Sequence, residues 1–346
     1  MASLLLSQWL LFASHSCNEG TRPFSLVLRR TEVTSQMKRI PRFLFLLPIA
    51  CLAFTRAPST LPAQAPATTV VPPSQPPPAA AQNPSPMVEH TRTHRRLTKV
   101  SPPGDHYSLP LGTLFVPQSL RSNRPATLLF FFHGGDWLPE LAASRQRQTA
   151  VVRVQAGAGS GSYVQLFKDP TRFLSLIAAA ESAAHMHFSQ IALGGWSAGC
   201  GAIRQILLDP ASYDRVHRVL CIDGVHTGYT NGTPGPGESD LDASNLQVWL
   251  RFGQDAQARK KRLIITHSEI FPGTFSSTTE TADWLLRAWQ LTPHPVVRFG
   301  PVGTQMLSRV SAGGLTVIGF AGNSAPDHVD ELHSLPEYLH WLEQNK

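Results

Sequence analysis

Cysteine, charge and long apolar runs are all scarce in this sequence. Four cysteines in 346 residues are too few to hold a small disulfide-built scaffold together. Only 15% of the residues are charged, and outside residues 1–67 there are 23 basic and 21 acidic residues, which leaves no basic stripe for nucleic acid. No apolar run reaches the roughly 20 residues that a membrane helix needs. We therefore predict no nucleic-acid partner and no stable membrane span.

Residues 1–67 have the layout of an N-terminal extension that contains an export signal. After Met37 a short basic segment precedes a dozen mostly apolar residues, 43–54, and small residues that suit cleavage follow, best at Ala67. We predict translation from Met37 and export to the periplasm or the extracellular space. A lipid anchor on Cys51 is the less favoured form, because the residues before this cysteine fit a lipobox poorly.

A linker and one folded domain follow the signal. Proline, alanine, serine and threonine dominate residues 68–104, a composition that buries too little apolar surface to fold, so we predict a disordered linker. Residues 105–346 have the length and pattern of a single domain. Cys200 and Cys221 lie in apolar surroundings within it, and we expect two buried free thiols rather than a disulfide.

In this domain, apolar runs of strand length alternate with longer amphipathic segments. The alternation predicts an α/β fold, with a mostly parallel sheet and helices on both faces. Continuously apolar runs such as 128–132 and 219–222 indicate strands that are covered on both sides. The eight predicted strands are 107–111, 113–116, 127–132, 150–155, 190–193, 216–222, 262–266 and 315–320. The five predicted helices are 164–185, 198–208, 241–252, 278–289 and 328–344.

The most informative motif is Gly195-Trp196-Ser197-Ala198-Gly199, which matches G-x-S-x-G between a predicted strand and a predicted helix. A serine on such a sharp turn adopts strained backbone angles, and glycines two residues away on either side prevent a collision. The helix that begins there favours developing negative charge. The bare pattern occurs by chance in roughly one chain in ten of this length, so an incidental serine in a glycine-rich turn is the alternative.

Two further motifs follow predicted strands. His133-Gly134-Gly135-Asp136 comes after the third strand, where glycines would let the backbone approach a ligand closely. His328 comes after the last strand and before an amphipathic C-terminal helix. A tight turn without a catalytic part remains the alternative for the first motif.

With these motifs, residues 106–346 resemble the α/β-hydrolase superfamily, and no narrower family is indicated. The resemblance implies a three-layer fold with an eight-stranded, mostly parallel sheet and a nucleophile after the fifth strand, where Ser197 falls. It implies an oxyanion hole from the backbone N–H groups of Ala198 and of Gly135 or Asp136. It also implies that His328 is the base.

The acid that would orient His328 has more than one candidate. Asp223 ends the sixth strand, and a carboxylate at the end of a buried strand is costly unless it is partnered. Glu269 follows the seventh strand, where the superfamily usually carries its acid. Asp327 is adjacent to the histidine, and adjacent residues rarely orient one another's rings. We favour Asp223, with Glu269 as the rival.

The carboxyl ends of the predicted strands should also form the substrate pocket. The residues predicted to line it are His133, Trp137, Trp196, His226 and His267. Four histidines at this edge could suggest a metal site, but their spacing is unlike that of metal ligands, and we predict neither metal nor cofactor. No insertion is long enough for a large lid, which suits exposed or polymer-linked esters.

The sequence therefore predicts a secreted serine hydrolase that cleaves small-molecule or polymer-linked carboxylic esters through an acyl-enzyme on Ser197. A peptidase or amidase on the same scaffold is the second hypothesis, because it would use the same residues. A non-catalytic binding domain is the third, disfavoured because nucleophile, oxyanion turn and base are all present. The sequence gives no prediction of the oligomeric state.

Overall fold

The computed structural model describes residues 93–232 and 240–344. The predicted signal and most of the predicted linker lie outside the described residues. No helix in these two ranges combines the length and the apolar character needed to cross a membrane. The ten strands of this part are β1 (Gly104–Ser108), β2 (Thr113–Pro117), β3 (Thr127–Phe132), β4 (Thr149–Val154), β5 (Gln190–Trp196), β6 (Arg218–Ile222), β7 (Arg262–His267), β8 (His294–Phe299), β9 (Gln305–Ala312) and β10 (Leu315–Phe320).

All ten strands form one sheet in the order β1-β2-β4-β3-β5-β6-β7-β10-β9-β8. The six central strands, from β4 to β10 in this order, run parallel, and an antiparallel pair closes each edge. The predicted mostly parallel α/β sheet is confirmed, but the predicted count of eight strands is wrong. The two missed strands are β8 and β9, which form a hairpin at one edge of the sheet. Apolar residues of β8 such as Val297 and Phe299 are exposed, so the hairpin lacks the buried apolar run by which a strand is recognised in the sequence.

The described helices are α1 (Trp137–Ser144), α2 (Ser160–Leu166), α3 (Thr171–Ala184), α4 (Cys200–Leu207), α5 (Pro210–Arg215), α6 (Gln247–Gln257), α7 (Thr278–Ala288), α8 (Ala325–His333) and α9 (Leu335–Glu343). The predicted helix 164–185 is in fact the pair α2 and α3, because Pro170 cannot continue a helix. The predicted helix 328–344 is likewise α8 and α9, with Pro336 in the first turn of α9.

Helices cover both faces of the sheet, which gives the predicted three layers. Strand β3 shows why, because its successive side chains enter opposite cores. Leu128 and Phe130 pack in the cluster that holds residues of α3, α4, α6 and α7. Leu129 and Phe131 pack in the second cluster with residues of α1, α8 and α9. Both faces of β3 are therefore apolar, and Cys200 and Cys221 are buried free thiols in the first cluster.

Part of the predicted linker is bound to the helix that carries His328. His94 Nδ1 lies 2.6 Å from Asp330 Oδ2, and Arg96 Nε donates to Asp330 Oδ1 at 3.0 Å. The backbone N–H of Leu97 donates to His333 Nδ1 at 3.0 Å. Asp330 is fully buried, and a buried carboxylate requires such partners. Ordered structure thus extends ahead of β1, on the linker side of the predicted boundary at residue 104.

Candidate active site

Ser197 lies on a tight turn between β5 and α4. Its φ of +50° is in the left-handed region, and residues Ser197–Gly199 form one 3₁₀ turn. A methyl group at Gly199 would overlap the carbonyl oxygen of Phe132, and one at Gly195 would lie 2.9 Å from the carbonyl carbon of Gly199. Gly199 is therefore required by the close approach of the turn to β3, and Gly195 by the tightness of the turn itself.

His328 is in the first turn of α8, and its ring is held by a carboxylate. His328 Nδ1 lies 2.7 Å from Asp223 Oδ2. Since an ionised carboxylate only accepts hydrogen bonds, Nδ1 carries a proton, and in the neutral form of the ring Nε2 is an acceptor. Asp223 directly follows β6 with a φ of +43°, a strained conformation of the kind that clusters at functional sites.

Asp223 accepts three more hydrogen bonds. The backbone N–H and the hydroxyl of Ser268 donate at 3.0 and 2.8 Å, and Thr278 Oγ1 donates at 2.5 Å. Burial by itself would raise the pKa of Asp223, but the hydrogen bond and charge of His328, together with both hydroxyls, lower it below its ordinary value. The carboxylate stays ionised and fixed in place. Ser268 and Thr278 were not predicted from the sequence, because neither belongs to a recognisable motif.

The other two candidate acids point elsewhere. The Glu269 side chain is exposed, and its Oε2 accepts from the backbone N–H of Gly322 at 3.4 Å. Asp327 is buried in a capping box, where its Oδ2 accepts from Ser324 Oγ at 2.7 Å at the start of α8. Of the three, Asp223 is the residue with a hydrogen bond to His328.

Trp196 links the nucleophile turn to the histidine. Its ring stacks on His133, with centroids 5.1 Å apart and planes 12° apart, and its centroid lies 4.5 Å from that of His328. Trp196 Nε1 donates to the carbonyl oxygen of His328 at 3.0 Å. Of the predicted pocket residues, Trp196 thus packs directly beside His328, and His133 stacks on Trp196. Burial, followed by the charge of His328, lowers the pKa of His133.

The turn after β3 lies next to the nucleophile turn, because Phe132 pairs with Gly195 in the sheet register. His133 and Gly134 have φ values of +69° and +107°, which give the chain its sharp bend. Gln155 Nε2 donates to the carbonyl oxygen of Gly134. Asp136 precedes α1, and its carboxylate pairs with Arg153 Nη1 at 3.1 Å. The backbone N–H groups of Gly135 and Asp136 are the ones that the sequence predicts as oxyanion donors.

A cavity of about 490 Å³ opens beside Ser197. Of the five predicted pocket residues, His226 lines it and the other four do not. Trp137 packs against His333 with ring centroids 5.6 Å apart, on the α8 side of the sheet. His267 lies beneath the surface, 8% exposed, with Nδ1 2.8 Å from Thr279 Oγ1. The sequence predicted that His267 lies at a strand end, but it did not predict that the side chain is buried.

His226 is neutral in this environment. Its Nδ1 donates to the carbonyl oxygen of Ser276 at 3.2 Å, and burial lowers its pKa. Its Nε2 is therefore an acceptor at the cavity wall.

In residues 93–232 and 240–344 no hydrogen bond joins Ser197 Oγ to His328, a contact that often tightens only when substrate binds.

Comparisons with known proteins give structural likenesses only. No protein-family model matches the chain, and no curated protein matches its sequence. Similar solved structures include a mutant feruloyl esterase module from Clostridium thermocellum complexed with sinapinate, with 15% identity, coverage of 78% of this chain and 97% of that one, and a TM-score of 0.36. Acetyl xylan esterase from Aspergillus awamori has 14% identity, 65% and 93% coverage, and a TM-score of 0.38. Carboxylesterase CesB from Bacillus subtilis has 12% identity, 67% and 90% coverage, and a TM-score of 0.33. These are loose overall likenesses, and function is therefore inferred from the geometry of this chain alone.

Proposed function

We propose that this chain is a serine hydrolase that cleaves carboxylic esters, with Ser197 as nucleophile, His328 as base and Asp223 as the orienting acid. The observation that carries the proposal is the 2.7 Å hydrogen bond between His328 Nδ1 and a buried carboxylate that three other groups hold in place. The left-handed backbone of Ser197 on the neighbouring turn supports the same arrangement.

In the proposed reaction, His328 Nε2 removes the proton from Ser197 Oγ as this oxygen attacks the ester carbonyl. The backbone N–H groups of Ala198 and of Gly135 or Asp136 bind the oxyanion. The C–O bond to the alcohol then breaks, and the alcohol takes the proton from His328. A water molecule, deprotonated by His328, attacks the acyl-enzyme, which releases the acid and regenerates Ser197.

The test is hydrolysis of p-nitrophenyl acetate and butyrate by the purified protein, beside Ser197→Ala and the control Ser311→Ala, an exposed residue on β9. We expect turnover by the wild type and the control, and loss of at least about 10³-fold in kcat for Ser197→Ala. A fluorophosphonate probe should label the wild type and not Ser197→Ala.

Two results would contradict the proposal in different ways. Equal background rates from all three proteins and no labelling would mean that Ser197 is not a nucleophile. Labelling without ester turnover would favour the amidase or peptidase alternative, and amide substrates would then replace the esters.

We also propose that the enzyme acts after export. The support is the sequence alone, because a basic segment, an apolar run and small residues follow one another from Met37 to Ala67. N-terminal sequencing of protein recovered outside the cytoplasm should begin at Thr68. A mature protein that still begins at Met1 or Met37 would contradict export by this signal.

A further inference from the structure

The cavity beside Ser197 is apolar on part of its wall and positively charged at one point. Val164, Trp249 and Phe275 contribute apolar surface. Arg204 lies on helix α4, and among the described lining residues it is the one side chain charged at neutral pH, because burial keeps His226 neutral. The wall therefore combines room for carbon atoms with a single cation.

The Arg204 guanidinium has a hydrogen-bond partner but no ion-pair partner in the described part of the chain. Its Nη1 donates to Asn245 Oδ1 at 2.5 Å, and no carboxylate within residues 93–232 and 240–344 lies within 4.0 Å of it. Asp242 is engaged through Asn245 instead, whose Nδ2 donates to Asp242 Oδ2 at 3.2 Å. Burial lowers the pKa of Arg204, and the negative charge of Asp242, which is not in direct contact with it, offsets this only in part.

Resting on the esterase function proposed above, we propose that Arg204 binds a carboxylate at the far end of the substrate's acyl group, so that the enzyme prefers monoesters of dicarboxylic acids. A planar guanidinium with unused N–H groups matches a carboxylate in geometry and charge. The apolar wall would cover the carbon chain between that carboxylate and the ester.

The placement of the cavity assigns it to the acyl group rather than to the alcohol. His328 must protonate the departing alcohol, so the alcohol leaves on the side of His328. His328 does not line the cavity, whereas Ser197 and Ala198 do. Arg204 is seven residues after Ser197, about two helical turns, and side chains on a helix lean towards its N-terminus. The guanidinium therefore leans back towards the nucleophile.

The experiment compares monoethyl adipate with ethyl hexanoate, which has an acyl chain of the same length without the second carboxylate. Monoethyl succinate and monoethyl glutarate, each compared with the ethyl ester of the unsubstituted acid of equal chain length, vary the distance between the ester and the second carboxylate. Ethanol release gives kcat/KM, and the measured quantity is the ratio of the charged to the neutral ester. We expect a ratio above one for at least one pair in the wild type. In Arg204→Gln that ratio should fall about 10- to 100-fold, as for the loss of a charge-assisted hydrogen bond.

Three further variants sharpen the test. Arg287→Gln removes the same charge from an exposed position on α7 and should leave the ratio unchanged. Asn245→Asp places a carboxylate of the protein itself against Arg204, where it competes with the substrate, and should also lower the ratio. Arg204→Lys keeps the positive charge and should retain part of the preference for the charged ester. If Arg204→Gln does not fold, which its melting curve would reveal, the last two variants decide the question.

The outcomes separate this inference from the function on which it rests. A wild-type ratio at or below one for every pair, or equal ratios for Arg204→Gln and Arg287→Gln, would overturn the carboxylate site while the esterase function stands. Failure of the wild type to hydrolyse any ester, including p-nitrophenyl butyrate, would overturn the proposed function itself.

Discussion

Raising the pH from 7.0 to 8.5 should destabilise this protein, and Glu331→Gln should remove most of the effect. Glu331 is 2% exposed on α8, its Oε2 accepts from Tyr338 Oη at 2.7 Å, and its Oε1 has no hydrogen-bond partner among the described residues. Burial, followed by the negative charge of Asp223, raises its pKa from 4.5 to about 8. The carboxyl is therefore neutral in the folded protein at pH 7.

The sign and size of the effect follow from linkage. The unfolded chain ionises Glu331 at about pH 4.5 and the folded chain at about pH 8, so the folded state binds more protons in between. The stability that this proton supplies is complete below pH 4.5 and is lost as the pH rises through 8. Between pH 7.0 and 8.5 the expected loss in the free energy of unfolding is ~1.3 kcal/mol. Histidines whose pKa is lowered in the folded state, such as His226, act in the opposite direction and only below about pH 6.5.

Urea unfolding of the wild type, Glu331→Gln and the control Glu337→Gln at both pH values measures this loss. Glu337 is exposed on α9, so its variant should lose as much stability as the wild type. Glu331→Gln should lose about 1 kcal/mol less, because an amide does not titrate. Equal losses in all three proteins would refute the assignment of a neutral, buried Glu331.

Four other substitutions test the site. Asp223→Asn should lower kcat about 10⁴-fold in the ester assay, whereas Glu269→Gln should change it less than about threefold; the reverse order would exchange their roles. Trp196→Phe keeps a ring but loses the indole hydrogen bond to the carbonyl of the base, so a drop of ~1 kcal/mol in urea stability is expected, and no change would show that the bond contributes nothing. Gly199→Ala should cost about 3 kcal/mol or prevent folding, because its methyl group overlaps the backbone of β3; a variant of wild-type stability would contradict this packing.

The features that the sequence predicted well are local in the chain. Strands β3, β5, β6 and β10 are continuous apolar runs, and the turns that follow them carry glycine, serine and histidine in short motifs. Ser197 and the turn after β3 could be recognised because each motif requires only neighbouring residues. Parallel strands then bring their carboxyl ends to one edge of the sheet, which is why residues far apart in the chain could be expected to lie close together.

The features that the sequence left open or missed depend on contacts between residues that are distant in the chain, or on strands that bury few side chains. The sequence favoured Asp223 over Glu269, and the contact that separates the two joins Asp223 to His328, 105 residues further along the chain. The hydroxyls of Ser268 and Thr278, 45 and 55 residues after Asp223, hold the same carboxylate. The edge strand β8 buries no side chain fully, and its neighbour β9 buries only Met306 and Val310, so neither carries a continuous apolar signature.

The sequence by itself determined the order of the eight strands that carry an apolar run, the nucleophile turn and the residue types available at the edge of the sheet, because backbone propensity and apolar periodicity act over a few residues. Only the tertiary structure decided which carboxylate holds His328, which histidines are buried, and that Arg204 enters the cavity beside Ser197. It also paired His94, Arg96 and Leu97 with α8. Burial and pairing of this kind depend on which distant groups exclude water from a site, and no short stretch of sequence contains that information.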